Sequence, residues 1–365
     1  MSTQIRADHI GSFLRPPDIL AARHQGDDDS VHLHELEDRA ILRVLEKQRE
    51  VGLDVLSDGE FRRNGFMGDL TAAVDGFDFG EGIPRAWKSG TVVAPAQPLR
   101  GIVTSKLKQK RRLTEHEVPF VKEHAHGAYK MTLPSATQFP AIAWKKGASS
   151  AAYPQPSDLL REITEIIKRE MAALAAEGVP YIQIDAPRYS YYLDPKWREW
   201  LRAEMGGDPD KLLDEALAAD NACFKAARKP GIELAIHLCR GNNRSKWYAE
   251  GGYDAIAEKM FSTLDVDRFL LEYEDERSGS FEPLRFVPKG KIVVLGLVSS
   301  KVPRMEDKAQ LIKRIEEASK YVPIENLALS PQCGFASVME GNEMTDAEQW
   351  AKLGLVVDTA RTVWH

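Results

Sequence analysis

Cysteine is scarce in this chain: Cys223, Cys239 and Cys333 are the only three in 365 residues. Three thiols cannot build a disulfide scaffold, and their scarcity fits an intracellular, cytoplasmic protein that keeps thiols for metal binding or catalysis. Long apolar runs are absent too. Nothing approaches the roughly 20 residues a membrane span needs, and the polar start, Met1 to Arg6, does not read as a secretory signal. There is no surplus of positive charge: 49 basic against 55 acidic side chains leave a formal charge of -6, which argues against a phosphate-driven nucleic-acid partner. The one basic run, Lys106 to Arg112, reads as a solvated loop or hairpin. Finally, no glycine-rich phosphate fingerprint follows the first strand, which disfavours an open dinucleotide-binding sheet.

What is present is alternation. Eight segments of strand character recur: Ile5 to Phe13, Leu53 to Ser57, Ala128 to Leu133, Tyr181 to Asp185, Ile232 to Cys239, Arg268 to Glu272, Lys291 to Leu297 and Asn326 to Ser330. Helical patterns separate them. One runs from about His34 to Val51 and stops at Gly52. Another opens at Ser157, keeps Leu159, Leu160, Ile163, Ile166, Ile167, Met171 and Leu174 on one face, and stops at Gly178. Further helices are expected over 208–229, 252–263, 306–320 and 345–362. Repeating βα units of this kind predict a (β/α)8 barrel spanning residues 1–365 as one domain. Residues 74–126 break the pattern, with strand-like stretches at Gly90 to Val93 and Gly101 to Leu107. They predict an insertion between the second and third strands, a β-hairpin or small lobe, placed to cover the barrel mouth or to meet a second copy in a homo-oligomer.

Barrel enzymes work at the carboxyl ends of their strands. Those ends hold Ser12, Glu60, Asp185, His237, Cys239, Glu272, Lys301 and Cys333. In an extended segment His237 and Cys239 leave the same face. Taken alone, that pair reads as a core histidine beside a buried cysteine. The convergence of a second thiol and several acids at strand exits turns it into a candidate metal site, and zinc suits a set of His237, Cys239, Cys333 and Glu272. Two thiolates and a carboxylate against a divalent ion leave a net charge of about -1. Such a centre is a poor activator of water and a good holder of an incoming thiol, whose pKa coordination lowers. Glu272 is favoured over Glu274 and Glu276 because it directly ends the run Phe269 to Leu271; the other two read as solvated loop charges. Cys223 sits within a helix and reads as structural. Tyr189, Tyr191 and Tyr192 wall the pocket or pack against helices, and His9 is a further candidate.

Six elements occur in order over most of the chain: Ile10-Gly11-Ser12-Phe13, Gly59-Glu60 with Arg62-Arg63-Asn64, Gln183-Ile184-Asp185, His237-x-Cys239, Leu271-Glu272 and Pro331-x-Cys333-Gly334. Together they resemble the catalytic domain of cobalamin-independent methionine synthase, in its short, single-barrel branch. The resemblance implies Zn2+ held by His237, Cys239, Glu272 and Cys333, and homocysteine held at Ile10, Gly11 and Ser12, with Glu60 and Asp185 receiving its amine. It implies transfer of a methyl group to that thiol. Three departures bear on the donor. Ala186 replaces an acidic residue, Lys301 stands where the family has a catalytic histidine, and Thr132 to Trp144 does not match the folate-contacting region. Lys301 is expected to protonate a leaving group, hold an anion, or sit in a salt bridge. The short branch also includes the epoxyalkane:coenzyme M transferases, which makes addition of a thiol to an epoxide the alternative reaction. A structural zinc site or a thiol-binding carrier is the non-enzymatic alternative.

Overall fold

The computed structural model describes residues 5–26, 30–89 and 92–364. Its centre is a six-stranded parallel sheet in the order β3-β4-β5-β6-β7-β8, made of β3 (Lys130–Pro134), β4 (Tyr181–Asp185), β5 (Glu233–Leu238), β6 (Arg268–Glu272), β7 (Ile292–Val298) and β8 (Leu327–Pro331). These follow β1 (Val74–Ser89) and β2 (Val92–Gln109), an antiparallel pair standing apart from the sheet. The parallel strands read as near-continuous apolar runs because both faces are covered, and β3, β4, β6 and β8 are buried at every position.

The expected first and second strands are each reduced to a single bridge, Ala7 with Leu329 and Leu56 with Tyr129. The cause is local. The Asp54 carboxylate accepts the backbone N–H groups of Arg6 and Ala7 at 2.7 and 2.8 Å, taking the donors a ladder would use. Beyond them, Gly11 turns to φ 137°. The segments still join both edges of the sheet through backbone hydrogen bonds: Asp8 N–H to Leu329 O, Asp54 N–H to Ala7 O and Lys130 N–H to Leu56 O. Ile5, Val55, Tyr181, Ala235, Leu270, Val294 and Ala328 meet in a cluster separate from the main core.

Helices fall where the periodicity placed them. Val31–Val51 is capped by Ser30 and ends on Gly52 at φ 91°. Pro156–Glu177 starts one residue earlier than expected, with a capping box between Gln155 and Asp158, and ends on Gly178 at φ 77°. Pro209–Ala227, Lys308–Ala318 and Asp346–Val363 match their expected spans to within a few residues. The stretch expected as one helix over 252–263 is split by Ile256 at φ -130° into a 3-10 turn and Ala257–Thr263. No described helix is long and apolar enough to cross a membrane.

The expected insertion contains a long hairpin, with strands of 16 and 18 residues in place of two short ones. Gly90 lies outside the described residues. The hairpin is fastened to the loop after β5: Lys88 and Trp247 exchange backbone hydrogen bonds of 2.6 and 3.1 Å. Arg85 drives its guanidinium among the rings of Tyr191, Trp197, Trp200 and Tyr248, 4.6 to 5.9 Å from their centroids.

Candidate functional site

The carboxyl ends of β4, β5 and β8, together with the loops at Ile10–Ser12 and Glu60, line one pocket. Its wall includes Ile10, Ser12, Glu60, Asp185, His237, Cys239 and Cys333. The imidazole of His237 and the sulfurs of Cys239 and Cys333 offer ligand atoms within 4.8 Å of one another, and all three residues are buried. His237 Nδ1 lies 3.3 Å from the carbonyl of Leu270. A carbonyl only accepts, so Nδ1 carries the hydrogen, and the buried Nε2 is left without a partner. The two thiols act on each other's acidity. A hydrogen bond from Cys239 holds Cys333 well below the ordinary thiol range, whereas the same bond, with burial, pushes Cys239 up. Burial lowers the basicity of His237, but the neighbouring Cys333 outweighs it and the net shift is upward. The cluster therefore draws positive charge to its centre, and its two sulfurs and one imidazole suit a borderline-soft divalent ion.

Glu272 is not within that 4.8 Å set. Its carboxylate is fully buried; Oε2 accepts the N–H of Arg240 at 2.8 Å, and Oε1 has no hydrogen-bond partner, with Arg277 at 3.7 Å. Glu274, expected as a solvated loop charge, instead has a side chain only 5% exposed and pairs with Lys301 at 3.6 Å. Lys301 is buried, close enough for its charge to act on both cysteines, and is not part of the pocket wall. Burial disfavours its charge, but Glu272 and Glu274 hold it above the ordinary lysine range.

Two carboxylates face the same space. Glu60 sits at φ 58°, a strained position for a side chain of this kind. Its Oε1 accepts from Thr132 Oγ1 at 2.8 Å, while its buried Oε2 has no partner. Asp185 Oδ1 accepts from Gln183 Nε2 at 2.7 Å. Burial pushes the Asp185 carboxyl up to about 7, opposed by His237 and reinforced by Glu60. The Ile10 carbonyl also accepts from Gln183 Nε2, at 2.7 Å, so one amide ties both sides of the pocket together. Ser12 Oγ accepts the N–H of Ala336, and a Cβ on Gly334 would collide with that oxygen.

Other expected residues lie elsewhere. His9 is buried against Phe13 with Nε2 on the carbonyl of Val55, outside the pocket. Tyr189 donates to Asp220, and Tyr191 and Tyr192 line a second cavity; none of the three lines the first pocket. Cys223 is buried in its helix, as expected. A second grouping, Asp69, His116 and Glu117, already holds a cation: Arg63 grips Glu117 through two bonds of 2.8 and 2.6 Å and Asp69 at 2.7 Å.

Several wall residues were not singled out by sequence: Phe66, Trp87, Arg188, Asn242 and Tyr248. Arg188 was within reach, since it follows Asp185-Ala186-Pro187 at the β4 exit. Trp87 was not, because nothing in an irregular insertion says which residue turns inward.

The model of the cobalamin-independent synthase catalytic domain matches residues 5–362. A Bacillus subtilis protein called uncharacterized protein YxjH is 37% identical over 379 residues, covering 99% of this chain and 95% of its own. A methionine synthase of Pyrococcus abyssi is 25% identical over 330 residues, covering 89% and 84%. Among solved structures, a putative vitamin-B12 independent methionine synthase from Listeria monocytogenes superposes with a TM-score of 0.70 at 28% identity, covering 100% of both chains. The matched span takes in the whole pocket and its three clustered ligand candidates, and the chain belongs to the cobalamin-independent synthase catalytic-domain family, as a methyltransferase.

Proposed function

We propose that this protein transfers a methyl group to the sulfur of homocysteine, giving methionine, with zinc holding the acceptor thiol. The observation that carries the reading is the buried trio of His237, Cys239 and Cys333, with an unpartnered Nε2 at its centre, in one pocket with Glu60 and Asp185. The six strands and the two bridging segments are taken as one (β/α)8 barrel covering the chain, supported by the backbone bonds that tie Ala7 to β8 and Leu56 to β3.

His237, Cys239 and Cys333 would hold the ion, and Glu272, which lies outside their 4.8 Å set and whose Oε1 accepts no hydrogen bond, would turn in to supply the fourth, displaceable position. When bound, zinc supplies a lowered thiol pKa and a sulfur that stays nucleophilic. The chain's residues do the rest. Glu60 Oε2 and the Asp185 carboxylate take the substrate ammonium, and Gly11 and Ser12 with the Ile10 backbone frame its carboxylate. Fixing both ends of the acceptor leaves its sulfur one position, which is where much of the rate would come from. Lys301, paired with Glu274, balances the negative charge of the thiolate set; to protonate a leaving group it would have to leave that pair.

A second reading, addition of a thiol to an epoxide, draws on one observation. Arg188 on the pocket wall would suit a sulfonate-bearing thiol such as coenzyme M. It leaves Glu60 and Asp185 with no amine to hold. The deciding assay incubates zinc-loaded protein with homocysteine and methyl-folate, methylcobalamin and small methyl or epoxide donors, scoring S-alkylated product. Methionine from one of the methyl donors is expected. No alkylation of homocysteine by any donor would overturn the reading.

A further inference from the structure

Two buried guanidinium groups beside the pocket form no ion pair with a carboxylate among the described residues. Arg188 is 6% exposed and forms no ion pair with any described residue; its hydrogen-bond and ring partners are tyrosines. Nη1 donates to Tyr191 Oη at 2.8 Å, and the guanidinium lies 5.1 Å from the ring centroid of Tyr191 and 4.6 Å from that of Tyr248. Its Nε is buried with nothing to donate to. Arg85, from the hairpin, is 1% exposed, with Nε and Nη1 both unpartnered and only a 3.3 Å contact to the Ala141 carbonyl. Burial pushes Arg85 down to about 9, and the charge of Arg188 pushes it the same way. Burying an unpaired charge is costly, and burying two side by side is more so. Aromatic rings offset part of that cost, but a ring face does not satisfy an in-plane N–H.

Position adds a second constraint. Among the described residues Arg188 alone lines both the metal-site pocket and the neighbouring cavity, whose wall is otherwise largely apolar and aromatic, as at Leu160, Tyr191, Leu201 and Met205, with Glu215 its one acid. On the proposed function the acceptor's charged ends take Glu60, Asp185 and the Gly11–Ser12 turn as their partners. Arg188, bordering both spaces, is thereby left for a group other than the acceptor's charged ends.

We infer that Arg188 is the binding residue for an anionic group, carboxylate, sulfonate or phosphate, carried by the alkyl donor. This rests on the thiol-alkylation reading for the word donor, though not for the anion site itself. A planar fork with a free Nε suits an oxyanion, and nearby Arg85, which lines neither cavity, adds charge without contacting the ligand.

The test titrates zinc-loaded protein with acetate and with inorganic phosphate, following the fluorescence of Trp197 and Trp200, which stack on or abut Tyr191. Saturable binding of at least one anion is expected. Arg188→Gln should weaken it by about tenfold or more, and Arg188→Lys should restore part of the loss. Zinc content and melting temperature, measured alongside, show that both variants fold. No saturable binding by the unaltered protein, or equal binding by Arg188→Gln, overturns the site. Repeating the titration with saturating homocysteine assigns the anion. Undiminished affinity supports the donor, whereas competition means that Arg188 reads the acceptor's own carboxylate and the donor assignment falls. If homocysteine itself does not bind, the proposed function fails, while the anion site stands or falls on the first titration alone.

Discussion

Gly11 shows how tightly single residues are constrained here. At φ 137° it occupies a region that L side chains rarely adopt, and a Cβ would meet Thr132 Cγ2 at 2.8 Å and Glu60 Oε1 at 2.9 Å. Gly11→Ala should therefore displace Glu60 and raise KM for the thiol acceptor by about tenfold or more, with zinc content unchanged; loss of zinc instead would mean that the turn supports the metal rather than the amine. Glu60→Gln removes the unpartnered Oε2 charge, so KM for homocysteine should rise by roughly 10- to 100-fold, the worth of a charged hydrogen bond. Unchanged KM would take the ammonium elsewhere. The Asp185 carboxyl, lifted to about 7 mainly by burial, is protonated below that pH and then cannot pair with an ammonium. The profile of kcat/KM should fall on the acid side of about 7, and Asp185→Asn should lower and flatten it. A limb that survives in the variant belongs to another group.

Elements set these residues in place, and they differ in how visible they were beforehand. The strands β3 to β8 and the helices between them were legible because burial on both faces writes continuous apolar runs, and because Gly52 and Gly178 mark helix ends. The first two segments were overread as strands: they carry the same apolar residues, but Asp54 captures the donors of Arg6 and Ala7. Clustering of His237, Cys239 and Cys333 was legible because strand exits share one end of a parallel sheet. Glu272 outside their 4.8 Å radius was not, since its rotamer answers to the Arg240 N–H. His9 shows the same limit. Placed at a segment end it resembles a site residue, yet burial, with Lys130 beside it, holds its imidazole down to about 3. A histidine depressed in the folded state contributes stability that is full above the unfolded value of 6.5 and is lost as pH falls toward 3. His9→Gln should thus flatten the fall in melting temperature between pH 6.5 and 4.5, a span worth about 3 kcal/mol at most. An unaltered slope would assign acid sensitivity to other groups. The hairpin makes its own prediction through Trp87, whose ring meets Tyr248 edge-on at 5.4 Å and closes the pocket. Trp87→Ala should impair substrate affinity more than zinc retention, and the reverse would make the hairpin a scaffold for the metal residues.

At the scale of the whole molecule, β5 and β8 bring residues 94 positions apart, Cys239 and Cys333, to within ligand distance of one another. An ion gripped there ties distant parts of the chain together, so removing it with a chelator should lower the melting temperature and re-adding zinc should restore it. The central claim is that one zinc sits on two sulfurs and one imidazole of this chain and gains a third sulfur from the acceptor. Zinc K-edge X-ray absorption on the purified protein measures that directly. The account predicts about one zinc per chain with two sulfur neighbours at about 2.3 Å, rising to three when homocysteine is added. A spectrum with fewer than two sulfurs, or one that homocysteine leaves unchanged, would contradict it.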